Sequence, residues 1–119
     1  MHIVEQYLGA MVAHDWEEMA ACLSDDVVRV GPFGDTYTPK APYVAFLSDL
    51  MPKLPGYAMH VERLVDAGTT AVVELSETVE VGGAVVVTPE VLVVDLGVDG
   101  LITRIAIYIQ RLGGPPPAL

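Results

Sequence analysis

Residues 69–96 read TTAVVELSETVEV, then Gly82-Gly83, then AVVVTPEVLVVDL: two long β-prone runs joined by two glycines. Such a junction is hairpin chemistry, because glycine reaches the positive φ that a two-residue turn demands. The turn fixes the register. Val81 pairs with Ala84, so Glu77 lies opposite Thr88 and Leu75 opposite Glu90. A second short turn at Asp99-Gly100 sets Leu92 opposite Ile107 and Glu90 opposite Ile109. Side chains alternate across a strand, so Val73, Leu75, Glu77, Val79, Glu90, Leu92, Ile105 and Ile107 share one face. A regular strand cannot bury Val73, Leu75 and Val79 while turning Glu77 outward. A carboxylate in such a row is either an edge residue that reaches water or part of a site.

The hairpin belongs to a β-rich second half, with candidate strands at 57–65, 69–81, 84–96 and 101–111. The first half is mainly helical. Val4, Tyr7, Leu8, Met11 and Val12 recur at helical spacing, and Asp15 is placed to cap a second helix through Trp16, Met19, Ala20 and Leu23. Ser24-Asp25-Asp26 interrupts the pattern, Val27–Val30 reads as a strand, and GPFGD with TYTP as an irregular corner. Pro42 suits the first turn of a third helix, striped by Tyr43, Phe46, Leu47 and Leu50 and ended by Pro52 and Pro55-Gly56. Asp66-Ala67-Gly68 fits a three-residue loop that sets Tyr57 opposite Glu77 and turns Met59 and Val61 inward; a two-residue turn would bring His60 inward instead. The order predicts an α+β fold, with three N-terminal helices packed on a curved, mainly antiparallel sheet and a cavity between the layers. One domain over residues 1–112 and a flexible Pro-rich tail over 113–119 are expected.

Charge and cysteine usage exclude several functions. A net charge of -10, from 16 acidic and 6 basic residues, is the wrong sign for a phosphate backbone or an anionic membrane surface. No apolar run approaches the ~20 residues of a membrane helix. The lone Cys22 permits no internal disulfide and, with no export signal at the N-terminus, makes a reducing cytoplasm the expectation. His2, His14 and His60 have no metal-ligand spacing, so neither a metal nor a cofactor is expected.

Three stretches, QYLGAMVAHDWEEMAACLSDDVVRVGPFGD, VERLVDAGTTAVVELSETV and VLVVDLGVDGLITRIAIYIQ, together resemble the NTF2-like superfamily in its SnoaL-like and ketosteroid-isomerase-like branch. The resemblance covers nearly the whole chain and implies a cone-shaped α+β fold with an internal pocket. Its members include isomerases, polyketide cyclases, epoxide hydrolases, dehydratases and non-catalytic binding modules, so it implies no single activity. Tyr7 falls on the tyrosine that holds the oxyanion in ketosteroid isomerases, but their base falls on Gly31, and their second acid on Val91 or Leu92. Against limonene-epoxide-hydrolase-like members, Glu77 matches one aspartate, Leu75 replaces the arginine, and Ile107 replaces the last-strand carboxylate.

The candidate catalytic residues are therefore Glu77, Tyr7 and Glu90. The candidate ligand contacts are Tyr57, Trp16, Phe33, Phe46, Leu75, Leu92, Ile105 and Ile107. Pro89 before Glu90 suggests a bulge or strand edge, which would turn Glu90 to solvent. Desolvation would raise the pKa of Glu77 toward the range of a general acid or base. Two functions follow: a cofactor-free isomerase, cyclase or hydrolase acting on a small apolar molecule, or a non-catalytic pocket for an apolar ligand or partner. The opposite sheet face, with Val72, Val85, Val87, Val91 and Val93, predicts a homodimer.

Overall fold

The computed structural model describes residues 1–110. Helices α1 (Ile3–Val12) and α2 (Trp16–Ala21) lead into β1 (Leu23–Val30) and the short β2 (Thr36–Tyr37); α3 (Lys40–Leu50) and one 3-10 turn (Met51–Lys53) precede β3 (Ala58–Asp66), β4 (Thr70–Val81), β5 (Ala84–Leu96) and β6 (Ile102–Ile109). The fold is α+β around one six-stranded sheet of order β2-β1-β6-β5-β4-β3. The sheet is mixed: β1 runs parallel to β6, and the other pairings are antiparallel.

Local chemistry explains the helix boundaries. His2 and Glu5 close a capping box on α1, and Asp15 accepts from the Glu18 amide at 3.1 Å to start α2. Val4, Tyr7, Leu8 and Met11 are buried as their spacing requires, whereas Val12, at the end of the helix, is exposed. Helix α3 begins at Lys40, which leaves Pro42 in the first turn, as expected, where its missing N–H is not needed. The third helix thus lies between β2 and β3, after the first strands. Helix α2 ends at Ala21 rather than running through Leu23, and strand β1 starts at Leu23 rather than Val27, so Ser24-Asp25-Asp26 lies inside the strand, where the register against β6 is irregular. The corner after β1 is also more ordered than expected, with Thr36–Tyr37 paired back onto Arg29 and Val30.

The long hairpin follows the register read from its turn. Val81 pairs with Ala84, Glu77 with Thr88, Leu75 with Glu90, and Leu92 with Ile107. Pro89 produces no bulge, because the β4–β5 register is continuous through Ser76↔Pro89. It sits where β6 ends, with Gln110 N–H donating to its carbonyl at 2.8 Å, so its missing donor falls at the finish of that pairing. The β3 register departs from expectation. Asp66 pairs with Ala71, and a shift between Val61 and Arg63 leaves Met59, not Tyr57, opposite Glu77. The extra residue lets Met59, Val61 and Leu64 share one face, which strict alternation would forbid. His60 and Glu62 remain exposed and lie 3.2 Å apart. The expected tail, 113–119, lies outside the described residues.

The core is packed between α1, α2, α3 and the inner face of the sheet, with Val4, Tyr7, Met19, Tyr43, Val73, Val94, Ile102 and Ile105 among its sealed side chains. Along three neighbouring strands the inward residues change from core to cavity wall at a level that slants across the sheet, so that Leu75 is still sealed where its partner Glu90 already faces the cavity. Leu75 gives way to Glu77, Val94 to Leu92, and Ile105 to Ile107.

Candidate functional site

Beyond that level lies a cavity of about 450 Å³, a size suited to a small organic ligand. Two walls face it. One is built on β4 and β5, where Glu77, Thr88 and Glu90 project inward among Val79, Val86 and Leu92. The other comes from α1, β1 and α3, which contribute Tyr7, Arg29 and Tyr43.

Glu77 enters the cavity by parity, as the strand pattern demanded. Its Oε2 accepts a hydrogen bond from the hydroxyl of Tyr57, the residue just before β3, although the two residues are not register partners. Glu90 enters the same cavity. Burial, then a hydrogen bond to Glu77 and the charge of that carboxylate, push Glu90 up to about 9, while Arg29 pulls weakly the other way. Burial, followed by the neighbouring Glu77 charge and hydrogen bond, also holds Tyr57 well above the usual tyrosine range, so it stays a donor.

On the opposite wall the Tyr7 and Tyr43 hydroxyls hydrogen-bond each other. Both are fully buried. Burial raises Tyr7, with the Tyr43 contact adding to it, and pushes Tyr43 up to about 12 against the opposing influence of Tyr7 and Arg29. Arg29 is 9% exposed and projects on the same face of β1 as the fully buried Val27. Its Nη1 donates to Asp35 Oδ2 at 2.8 Å, and its Cζ lies 5.4 to 6.0 Å from the ring centres of Phe46, Tyr37 and Tyr43. Burial disfavours the Asp35 carboxylate, but hydrogen bonds from its own backbone and from Arg29, with the Arg29 charge, outweigh that and hold it below its usual range. The pair fills the space above Gly31, where a Cβ would stand 2.6 Å from Arg29 Nη1 and from Asp35 Oδ2. At the position that resembles the isomerase base, a side chain would therefore have to displace the Arg29–Asp35 pair.

The expected site residues divide accordingly. Glu77, Glu90, Tyr7, Tyr57, Phe33, Leu92 and Ile107 line the cavity, Phe33 as a largely exposed side chain. Leu75 and Ile105 are sealed in the core one step before the cavity begins. Trp16 stacks on His14 with ring centres 5.5 Å apart, and Phe46 stacks on Tyr37 at 4.0 Å; neither reaches the cavity. Sequence reasoning missed Arg29 and Tyr43. The signal for Arg29 was the same parity that placed Glu77, since it alternates with Val27 and Gly31, and Tyr43 was already on the apolar stripe of α3. Among the described residues no group of three or more acidic, His or Cys side chains is placed to hold a metal ion, and no helix is long and apolar enough to cross a membrane.

An α+β cone with helices over an acid-bearing inner sheet face defines the NTF2-like class. The SnoaL-like domain model matches residues 4–105, and the chain belongs to that family. Its fold is similar to a candidate ketosteroid isomerase from Kribbella flavida, at 27% identity and TM-score 0.80, over 98% of this chain and 81% of that one. It is also similar to a candidate SnoaL-like polyketide cyclase from Shewanella denitrificans, at 14% identity and TM-score 0.80, over 91% and 88% of the two chains. A limonene-epoxide-hydrolase-like epoxide hydrolase of M. tuberculosis aligns at 22% identity and TM-score 0.78, over 91% and 80%. A search of curated proteins finds no sequence match.

Proposed function

We propose that the protein is a cofactor-free acid–base catalyst acting on a small, mainly apolar substrate, in an isomerase, cyclase or hydrolase reaction. The observation that carries this reading is that Glu77 and Glu90 enter one cavity from adjacent positions on paired strands, where burial and the neighbouring Glu77 carboxylate favour the protonated form of Glu90. Two like acids in contact cannot both ionise easily, and such a pair divides into one acid and one base near neutral pH. Glu90 gives its proton to a substrate oxygen while Glu77 accepts one from a substrate C–H bond or an attacking water. The pair ends with the proton on the other member and the proton count unchanged. Tyr57 fixes the Glu77 carboxylate, and Tyr7 belongs to the wall that receives the substrate oxygen.

The test is turnover of a panel of small enones, β-keto esters and epoxides by wild type and Glu77→Gln. The amide keeps shape and hydrogen bonding but cannot move a proton, so turnover should fall by roughly 10²–10⁴-fold with ligand binding and melting temperature retained. Wild type that binds panel members without turning any over supports the second reading, a non-catalytic pocket.

A homodimer through the outer sheet face belongs to the same proposal. Val85 and Val87 stay exposed on that face beside half-buried Val72, Val91 and Val93, a contiguous apolar patch. Light scattering should give twice the 12.7 kDa chain mass, and Val85→Lys with Val87→Lys should return it to the single-chain value.

A further inference from the structure

We propose that Arg29 is the specificity residue of the cavity, anchoring a ligand carboxylate, so that the molecule the pocket takes is a small apolar monocarboxylate. The inference rests on the cavity of the proposed function but not on catalysis in it.

The argument is a count of donors. Asp35 engages one guanidinium nitrogen, Nη1, and Nε is buried without a hydrogen-bond partner, beside the aromatic rings of Tyr37, Tyr43 and Phe46. Arginine has no acceptor and five N–H donors. Among the described residues Nη2 has no hydrogen-bond partner, and Arg29 lines the cavity. The adjacent tyrosine pair has the same surplus. Each hydroxyl carries one hydrogen; one of the two lies between the oxygens, and the other has no acceptor among the described residues. Burial and the raised pKa values keep both hydrogens in place. This wall therefore offers donors that nothing described in the protein satisfies, and buried donors without acceptors are costly. A ligand oxygen answers that cost.

Charge selects a carboxylate over a neutral oxygen. The Arg29 side chain is 11% exposed and that of Asp35 41%, so solvent screens the acid more than the base. The cavity side of the pair is accordingly positive. On the facing wall, the proton held between Glu77 and Glu90 removes one of the two negative charges that would repel an anion. One carboxylate is thus accommodated, and a second has no cation to meet.

Calorimetry with three molecules of one body and different heads, cyclohexylacetate, 2-cyclohexylethanol and 2-cyclohexylethylamine, tests this at pH 7. The carboxylate should bind at least ~10-fold more tightly than the alcohol, the scale of one charge-assisted hydrogen bond. Arg29→Gln should abolish that preference, the carboxylate losing at least ~10-fold relative to the alcohol. Because Arg29 is buried, Asp35→Asn provides an independent reading of opposite sign: it frees the guanidinium and should tighten carboxylate binding without changing the alcohol. Equal binding of acid and alcohol, tightest binding of the amine, no binding of the carboxylate at millimolar concentration, or an Asp35→Asn protein with unchanged preference each overturns the inference. Glu77→Gln separates it from the catalytic reading, since the head-group ranking should survive that substitution whether or not turnover does.

Discussion

The two walls of the cavity are built on opposite principles. Tyr7, Tyr43 and Arg29 are more than nine-tenths buried, sit on three different elements, and belong to the packing that joins α1 and α3 to β1. Glu77, Thr88 and Glu90 are half-exposed, lie on one hairpin, and are neighbours through a single register. Removing a group from the first wall therefore removes part of the core. Removing one from the second changes the chemistry of a surface the core already supports. The difference teaches which substitutions should break the fold and which should leave a folded, altered site.

The sharpest test is Tyr43→Ala. Its ring is sealed between Tyr7 and Arg29, and truncating a large aromatic in such a position costs about 3–5 kcal/mol, a substantial share of the stability of a domain this size. Urea denaturation should show that loss, whereas Glu77→Gln should stay near wild type. Comparable losses in both would mean the acid wall is also structural.

A smaller effect is expected at Gly31. A methyl there would stand 2.6 Å from Arg29 Nη1 and closer still to the Asp35 carboxylate. Asp35 is the more exposed partner and can yield, but Arg29 is held among rings, so the ion pair breaks before the strand moves. Gly31→Ala should cost about 1–2 kcal/mol in the same measurement. An unchanged midpoint would show that the pair contributes nothing to the rigidity of the buried wall.

The acid wall is also the more legible of the two in the sequence, and for a physical reason. Two glycines at the turn and period-two alternation determine every pairing from Val81↔Ala84 to Thr70↔Asp95, so Glu77 and Glu90 could be brought together by counting. The Tyr7–Arg29–Tyr43 wall is formed by contacts between elements 14 to 36 residues apart, which no local period encodes. Tyr7 emerged only by resemblance, and Arg29 not at all, although it shares a strand face with Val27. Trp16 and Phe46 were misplaced because an apolar stripe says that a side chain is covered, not by what. The β3 register failed first at the turn, where Val65 pairs with Val72 rather than Thr69, and again at Glu62, where one extra residue in the strand shifts the partners of everything before it.

The gentlest way to sharpen the contrast is pH, which acts on the acid wall and spares the other. Glu90 has an ordinary value of 4.5 and is pushed up to about 9 in the folded protein, first by burial and then by Glu77. Between those values the folded state holds a proton that the unfolded chain has released. Stability from this group is therefore fully present below about 4.5 and is lost as pH rises toward 9, because unfolding then releases a proton. The slope is bounded by about 1.4 kcal/mol per pH unit, and partial solvent screening of Glu90 narrows the pH window over which it acts. Glu90→Gln removes the titrating group while keeping its shape, so the variant should gain on wild type steadily from pH 6 to pH 8. Urea midpoints of the two proteins at intervals across that range measure the gap. Tyr7 and Tyr43, raised far above the window, contribute nothing to it. Parallel curves would mean that Glu77 and Glu90 do not share a proton, and the acid–base pair would lose its physical basis while the buried wall kept its own.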